Sequence, residues 1–167
     1  MKSPRSFFTT KDLAVAGLLT AVTLLFTLIS ISVPAGMGGA YVNLGDMGVY
    51  ALAYAVGGYM GALCAAIASA AADLMLGSMI YVPATFVIKG LTALLCSLLF
   101  KRFAKKKLLA PALSGLIIPV GYCLFECLAF GPAAAVISII PNLLQWAVGV
   151  ALGIPCIRLM ERLLDRK

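Results

Sequence analysis

From Leu13 to Val33 the chain runs without a charged residue. That is long enough for a helix to cross hydrocarbon, which takes roughly 20 residues. Comparable runs recur almost to the C-terminus, separated by glycine pairs, prolines and short basic clusters rather than by polar linkers. Inside a bilayer every backbone N–H and C=O must be satisfied internally, so such runs fold as helices. Composition agrees: 63% of the 167 residues are hydrophobic and 11% charged, whereas soluble domains are about half apolar and a quarter charged. The length admits about six spans with short connections. The expectation is one all-α transmembrane domain covering residues 1–167, a single bundle with both termini cytoplasmic.

The first helix is expected from Thr10 to Ser32, and the absence of a small-residue cleavage site makes it a retained helix rather than a signal peptide. A glycine-rich loop follows at Pro34–Gly39. A short second helix runs from near Gly45 to the Gly57-Gly58 pair, and a third from Tyr59 to Leu76. Pro83 suits the first turn of a fourth helix that ends at Phe100. The fifth covers Leu108 to Phe130 with a kink expected at Pro119. The sixth starts within Ala133–Pro141 and continues to Leu164.

This count segregates charge. Of the 13 Lys and Arg residues, all but Lys89 fall at the N-terminus, between helices four and five, or at the C-terminus. The positive-inside rule makes that face cytoplasmic. The net charge of +7 therefore reports membrane orientation and not a nucleic-acid partner. With no histidine and no CxxC pair among 5 cysteines, no zinc, haem or other metal site is expected. The cysteines read as buried structural thiols.

Four ionisable residues lie away from the cytoplasmic ends: Asp46, Asp73, Lys89 and Glu126. A charge in hydrocarbon costs at least about 2.5 kcal/mol, so such residues face a cavity or each other. With Asn142, Gln145 and Trp146 they converge on the outer half of the bundle, while the inner half reads as apolar. That pattern describes a pocket open to the outside, since a channel needs polar lining throughout. Thr85 and Lys89 share a helix face, as do Tyr122, Glu126 and Phe130, and Asn142 and Trp146. Aromatic faces beside a few hydrogen-bonding groups suit a flat heterocyclic ligand. The Pro34–Asn43 segment is placed to act as a lid from which Tyr41 and Asn43 reach down. Asp46 reads as the N-cap of helix two, and Lys89 has Asp73 or Glu126 as a structural partner if it does not meet ligand. Small residues mark two further faces. Those of helix three read as internal packing, whereas Ala16, Gly17, Thr20 and Ala21 of helix one suit either packing or a docking partner.

The segments YVNLGDMGVYALAYAVGG (Tyr41–Gly58) and YVPATFVIKGL (Tyr81–Leu91), with the small-residue helix ending in Asp73, resemble the substrate-binding S components of energy-coupling factor (ECF) transporters. The NLGD and TF-IKG patches look most like the hydroxymethylpyrimidine-type branch, also labelled riboflavin-type. The resemblance implies a non-enzymatic subunit of a prokaryotic cell membrane that captures a vitamin or precursor from outside. A hydroxymethylpyrimidine or pyridoxine-like ligand is the first choice, and riboflavin or another B-vitamin the alternative. It further implies association with a membrane coupling protein and two ATPases. The family's helix-one AxxxA docking motif is replaced here by Ala16-xxx-Thr20 or Gly17-xxx-Ala21. No cofactor is expected on this chain, and without a GxxxxGK[ST] loop any ATP chemistry belongs to the partners. The candidate substrate contacts are Tyr41, Asn43, Asp73, Thr85, Lys89, Tyr122, Glu126, Asn142, Gln145 and Trp146, with no catalytic residue. Readings from other classes are an intramembrane enzyme, for which Lys89 has only the remote Ser69 or Ser78 as nucleophile, and a membrane scaffold.

Overall fold

The computed structural model describes residues 9–33, 40–103 and 108–164. Helix α1 (Thr10–Leu28) opens with a capping box: Thr9 Oγ1 accepts the Asp12 N–H at 3.2 Å and Asp12 Oδ2 accepts the Thr9 N–H at 2.9 Å. Two first-turn donors that a helix otherwise leaves orphaned are thereby satisfied. The expected continuation to Ser32 does not form. Ile29, Ile31 and Val33 alternate with serines, a period-two pattern of β-branched residues that suits a strand, and Pro34 disfavours helical backbone at Val33. Strand β1 (Ser30–Val33) instead pairs antiparallel with β2 (Ala40–Asn43), with Ser30 opposite Asn43 and Val33 opposite Ala40. The lid expectation is corrected to this extent: Ala40–Asn43 is a strand, and Pro34–Gly39 lies outside the described residues.

Helix α2 (Gly45–Ala55) has 11 residues, about 16 Å at 1.5 Å per residue. That is roughly half the hydrocarbon thickness. It is enclosed by its neighbours rather than lipid, and Val49 to Ala53 are at most 2% exposed. Glycines make the enclosure possible. A Cβ at Gly45 would overlap Thr27 Oγ1 of α1, and one at Gly48 would overlap Thr23 Oγ1. The opposite side meets α7 (Pro132–Leu164), where a Cβ at Gly149 would sit 2.6 Å from Asp46 Cβ and one at Gly153 2.6 Å from Tyr50 Cδ2. Gly149 and Gly153 are four apart, as are Asp46 and Tyr50, so two notches on one helix receive two side chains of the other.

The chain reverses at Gly57-Gly58, whose φ angles of 67° and 54° are the left-handed values that favour glycine. Helix α3 (Gly58–Met75) follows, and its small face (Gly61, Ala62, Ala65, Ala66, Ser69, Ala72) is buried against the bundle as expected. Ser97 Oγ of α4 (Val82–Arg102) accepts the Gly58 N–H at 2.7 Å and so caps the start of α3. A short 3-10 turn at Met79–Tyr81 leads into α4, with Pro83 in its first turn.

The expected fifth helix is two pieces, α5 (Leu109–Gly115) and α6 (Ile117–Phe130). Pro119 has no N–H to offer the Gly115 carbonyl and its ring crowds that oxygen, so the break falls near Leu116, one turn before the proline. Among the described residues five stretches, with α5 and α6 taken together, are long and apolar enough to cross a membrane. With the enclosed α2, too short to span alone, they make an all-α transmembrane bundle of six helices. Leu18, Leu25, Leu63, Leu128 and Ile140 point outward, a surface that suits lipid and would aggregate in water. Among the cysteines, all of them free, Cys96 is buried, Cys64, Cys123 and Cys156 are half-buried, and Cys127 is exposed, which corrects the expectation of uniformly buried thiols.

Candidate functional site

The polar residues sort into two tiers. In the deeper one, Lys89 of α4 places Nζ 2.5 Å from Asp46 Oδ1, and the two side chains are 4% and 0% exposed. Gln145 of α7 donates from Nε2 to Asp46 Oδ2 at 2.5 Å and to Asn43 Oδ1 at 3.2 Å, while its Oε1 accepts the Asn43 N–H at 2.7 Å. Asn43 Oδ1 also accepts the Gly45 N–H at 2.9 Å. Both carboxylate oxygens of Asp46 are therefore occupied, one by an ammonium and one by an amide. This network joins β2, α2, α4 and α7.

Several expectations change here. Asp46 is not the N-cap of α2, because Asn43 supplies the oxygen that meets the first-turn N–H. Lys89 pairs with neither Asp73 nor Glu126. Gln145 spends its amide on Asn43 and Asp46, and Asn43 Oδ1 meets Gln145 and the Gly45 N–H, so these two residues tie β2 to α2 and α7. Trp146 is turned away: its indole N–H donates to the Ala112 carbonyl at 3.0 Å, and a Cβ at Gly115 would lie 2.6 Å from its Cδ1. Its role in the structure is to brace the α5–α6 break. The Tyr41 side chain lies outside the described part of the structure.

The outer tier centres on Glu126 of α6. Oε1 accepts from the Tyr81 hydroxyl at 3.3 Å, and Oε2 accepts from the Ser138 hydroxyl and, at 3.5 Å, from Asn142 Nδ2. Thr85 Oγ1 and the Tyr122 hydroxyl are 2.8 Å apart. Aromatic rings border this group, with Tyr81 6.4 Å from Tyr122, 5.3 Å from Phe125 and 6.0 Å from Phe130 between centroids. Asp73 is buried at the end of α3, within electrostatic range of Tyr81. The tiers meet at Tyr122, whose ring centroid is 5.8 Å from Lys89 Nζ. Five predicted residues (Thr85, Lys89, Tyr122, Glu126 and Asn142) thus come together, with Asp73 adjoining.

Tyr81 and Ser138 were not anticipated, although spacing by four signals both. Tyr81 precedes Thr85 and Lys89 by one and two turns, and Ser138 precedes Asn142 by one.

The structure also divides the small residues of α1. Gly17 and Ala21 face outward, and a Cβ on Gly17 would meet nothing within 4 Å. Ala16 is 2% exposed and packs inward, so it leaves the set of available docking residues. Thr20 is half-buried and donates its hydroxyl to the Ala16 carbonyl at 2.6 Å. Among the described residues no group of three or more His, Cys, Asp or Glu could hold a metal ion.

A helical bundle with an apolar exterior that suits lipid and polar residues buried between its helices defines the class: an all-α integral membrane protein. The model of the ECF-type riboflavin transporter S-component family matches residues 7–162, and the chain belongs to that family of transport subunits. Its fold matches the crystal structure of the S component for biotin from an ECF-type ABC transporter, with a TM-score of 0.72, 17% identity and 96% of each chain covered. A second solved S component of a bacterial ECF transporter gives a TM-score of 0.70 at 17% identity over 93% of this chain and 96% of that one. A Pyrococcus woesei protein, described as an uncharacterized protein in the gap 3' region, is 29% identical over 135 residues, covering 80% of this chain and 89% of the relative.

Proposed function

We propose that this chain captures a hydroxymethylpyrimidine- or pyridoxine-like vitamin or precursor at the outer face of a prokaryotic plasma membrane. A membrane coupling protein and two ATPases then drive its uptake. The observation that carries the reading is the outer tier: one carboxylate, four hydroxyls and one amide, in two hydrogen-bonded groups, lie beside four aromatic rings. Small-molecule sites are built this way, with mostly apolar and aromatic walls and a few convergent polar groups that fix orientation. Thr85, Tyr122, Glu126 and Asn142 are the contacts assigned to ligand, with Tyr81 and Ser138 holding Glu126. The chain needs no cofactor of its own, since ATP is used by its partners. The exposed Gly17-xxx-Ala21 face of α1 is assigned to the coupling protein, because small residues there let a second helix approach closely.

Riboflavin is the second reading, favoured by the description of the matching family. A thermal-shift panel of B-vitamins and precursors on the purified protein separates the two. A ligand at 100 times its Kd adds about 2.7 kcal/mol, or about 5–10 °C for a chain of this size. One strong hit names the substrate, and no shift across the panel would sink the capture reading. For docking, Gly17→Leu is expected to leave folding intact and abolish co-purification with the coupling protein. Normal assembly of that variant would place the docking face elsewhere.

A further inference from the structure

Charge within the membrane-embedded part is unevenly divided. Apart from the cytoplasmic ends, the sequence supplies three carboxylates (Asp46, Asp73 and Glu126) and a single ammonium, Lys89. Lys89 is the one group that would recognise a phosphate or carboxylate on a ligand, and it is neutralised at 2.5 Å by Asp46. Asp46 is held in that position from two directions. Gln145 Nε2 donates to its other oxygen at 2.5 Å, and α7 leaves room for it only because residue 149 is glycine. Glu126, one helical turn from Tyr122 on α6, already accepts hydrogen bonds on both oxygens. A ligand resting on Tyr122 and Thr85 therefore meets a compensated ion pair below and a carboxylate beside it.

We propose that this site selects ligands without negative charge. It accepts free heterocyclic alcohols and amines and rejects their phosphate esters and carboxylated analogues, and Asp46 is the residue that sets this specificity. The inference rests on the capture reading above and names the chemical class that reading leaves open. Its physical basis is a difference in affinity created by an unfavourable element. An anionic group would be placed near Glu126 with no free cation to meet it, and like charges juxtaposed in a water-poor site cost several kcal/mol. The same geometry gives Asp46 a purpose that neither a helix cap nor a ligand contact provides: it removes the affinity for anions that an isolated Lys89 would confer.

The test compares Kd values, by titration calorimetry on the purified wild-type protein, for pyridoxine and pyridoxine 5'-phosphate, hydroxymethylpyrimidine and its phosphate, and riboflavin and its 5'-phosphate. The expected result is that whichever free compound binds does so at least about 100-fold more tightly than its ester. Binding of free form and ester within threefold would overturn the specificity proposal while leaving vitamin capture standing. Binding of neither form of any pair would overturn both. Asp46→Asn uncovers Lys89 and is expected to narrow the ratio at least 10-fold, chiefly by improving the ester. The double variant Asp46→Asn/Lys89→Met, which removes both charges and guards against misfolding of the single change, is expected to restore a wide ratio. An Asp46→Asn protein that still binds the free form with an unchanged ratio would remove Asp46 as the determinant. If Asp46→Asn does not fold, a double variant that binds the ester as well as the free form does the same.

Discussion

Lys89→Met is the perturbation with the sharpest expected outcome. The change keeps most of the side-chain volume and removes the ammonium that sits 2.5 Å from Asp46 Oδ1. With Asp46 fully enclosed and its other oxygen met, among the described residues, only by Gln145, the carboxylate is left as a buried charge without a counter-ion. Breaking such a pair from one side costs about 3–5 kcal/mol. For a chain of this length about 2–4 °C accompanies each kcal/mol, so the unfolding midpoint in detergent should fall by about 6–20 °C. The loss is not the intrinsic worth of the pair, because much of it is desolvation of the abandoned partner. Removing both charges in Asp46→Asn/Lys89→Met should therefore recover most of the stability. The measurement is thermal unfolding of wild type, both single variants and the double, at one scan rate in one detergent. A Lys89→Met midpoint within about 2 °C of wild type, or a double variant as unstable as the two singles combined, would refute the structural pairing.

Other changes probe how the pair is held. Gly149→Ala puts a Cβ 2.6 Å from Asp46 Cβ and should cost about 1–3 kcal/mol by overpacking. Gly17→Ala, which meets nothing within 4 Å, should be neutral or stabilising by up to about 1 kcal/mol, and equal effects at the two sites would show that α2 and α7 are not in such close contact. Gln145→Leu strands the Asn43 N–H and Asp46 Oδ2, at about 1–3 kcal/mol per orphaned group. Hydrogen exchange should quicken first in β2 and the start of α2, and unchanged protection there would count against Gln145 as the anchor. The Tyr50 hydroxyl is buried with no hydrogen-bond partner among the described residues, so Tyr50→Phe should leave the melting temperature unchanged or raise it. A drop of several degrees would mean that the hydroxyl has a partner after all.

The membrane class and most helical segments were legible because each rests on local arithmetic. Apolar run length decides what can span a bilayer, and the basic residues grouped at Lys101–Lys107 and near both termini give the orientation expected of it. The β hairpin was less legible. The Ile-Ser-Ile-Ser-Val alternation is present in the sequence, but it continues an apolar run, and a strand is stable only once Ala40–Asn43 returns to pair with it. Gly149-xxx-Gly153 was readable as a close-approach motif, yet nothing local says that its notches receive Asp46 and Tyr50.

Periodicity by itself determined which polar residues share a face, and therefore that Thr85 with Lys89, and Tyr122 with Glu126, would be presented together. Tertiary structure alone decided who pairs with whom. Lys89 had three carboxylates to choose from, and the choice of Asp46 depends on a short enclosed α2, on the room left at Gly149, and on Gln145, which lies 99 residues from Asp46 in the chain. Spacing along one helix fixes the direction of a side chain to within a turn. The distance between helices and their relative height are set by packing over the whole bundle, and a salt bridge at 2.5 Å depends on both.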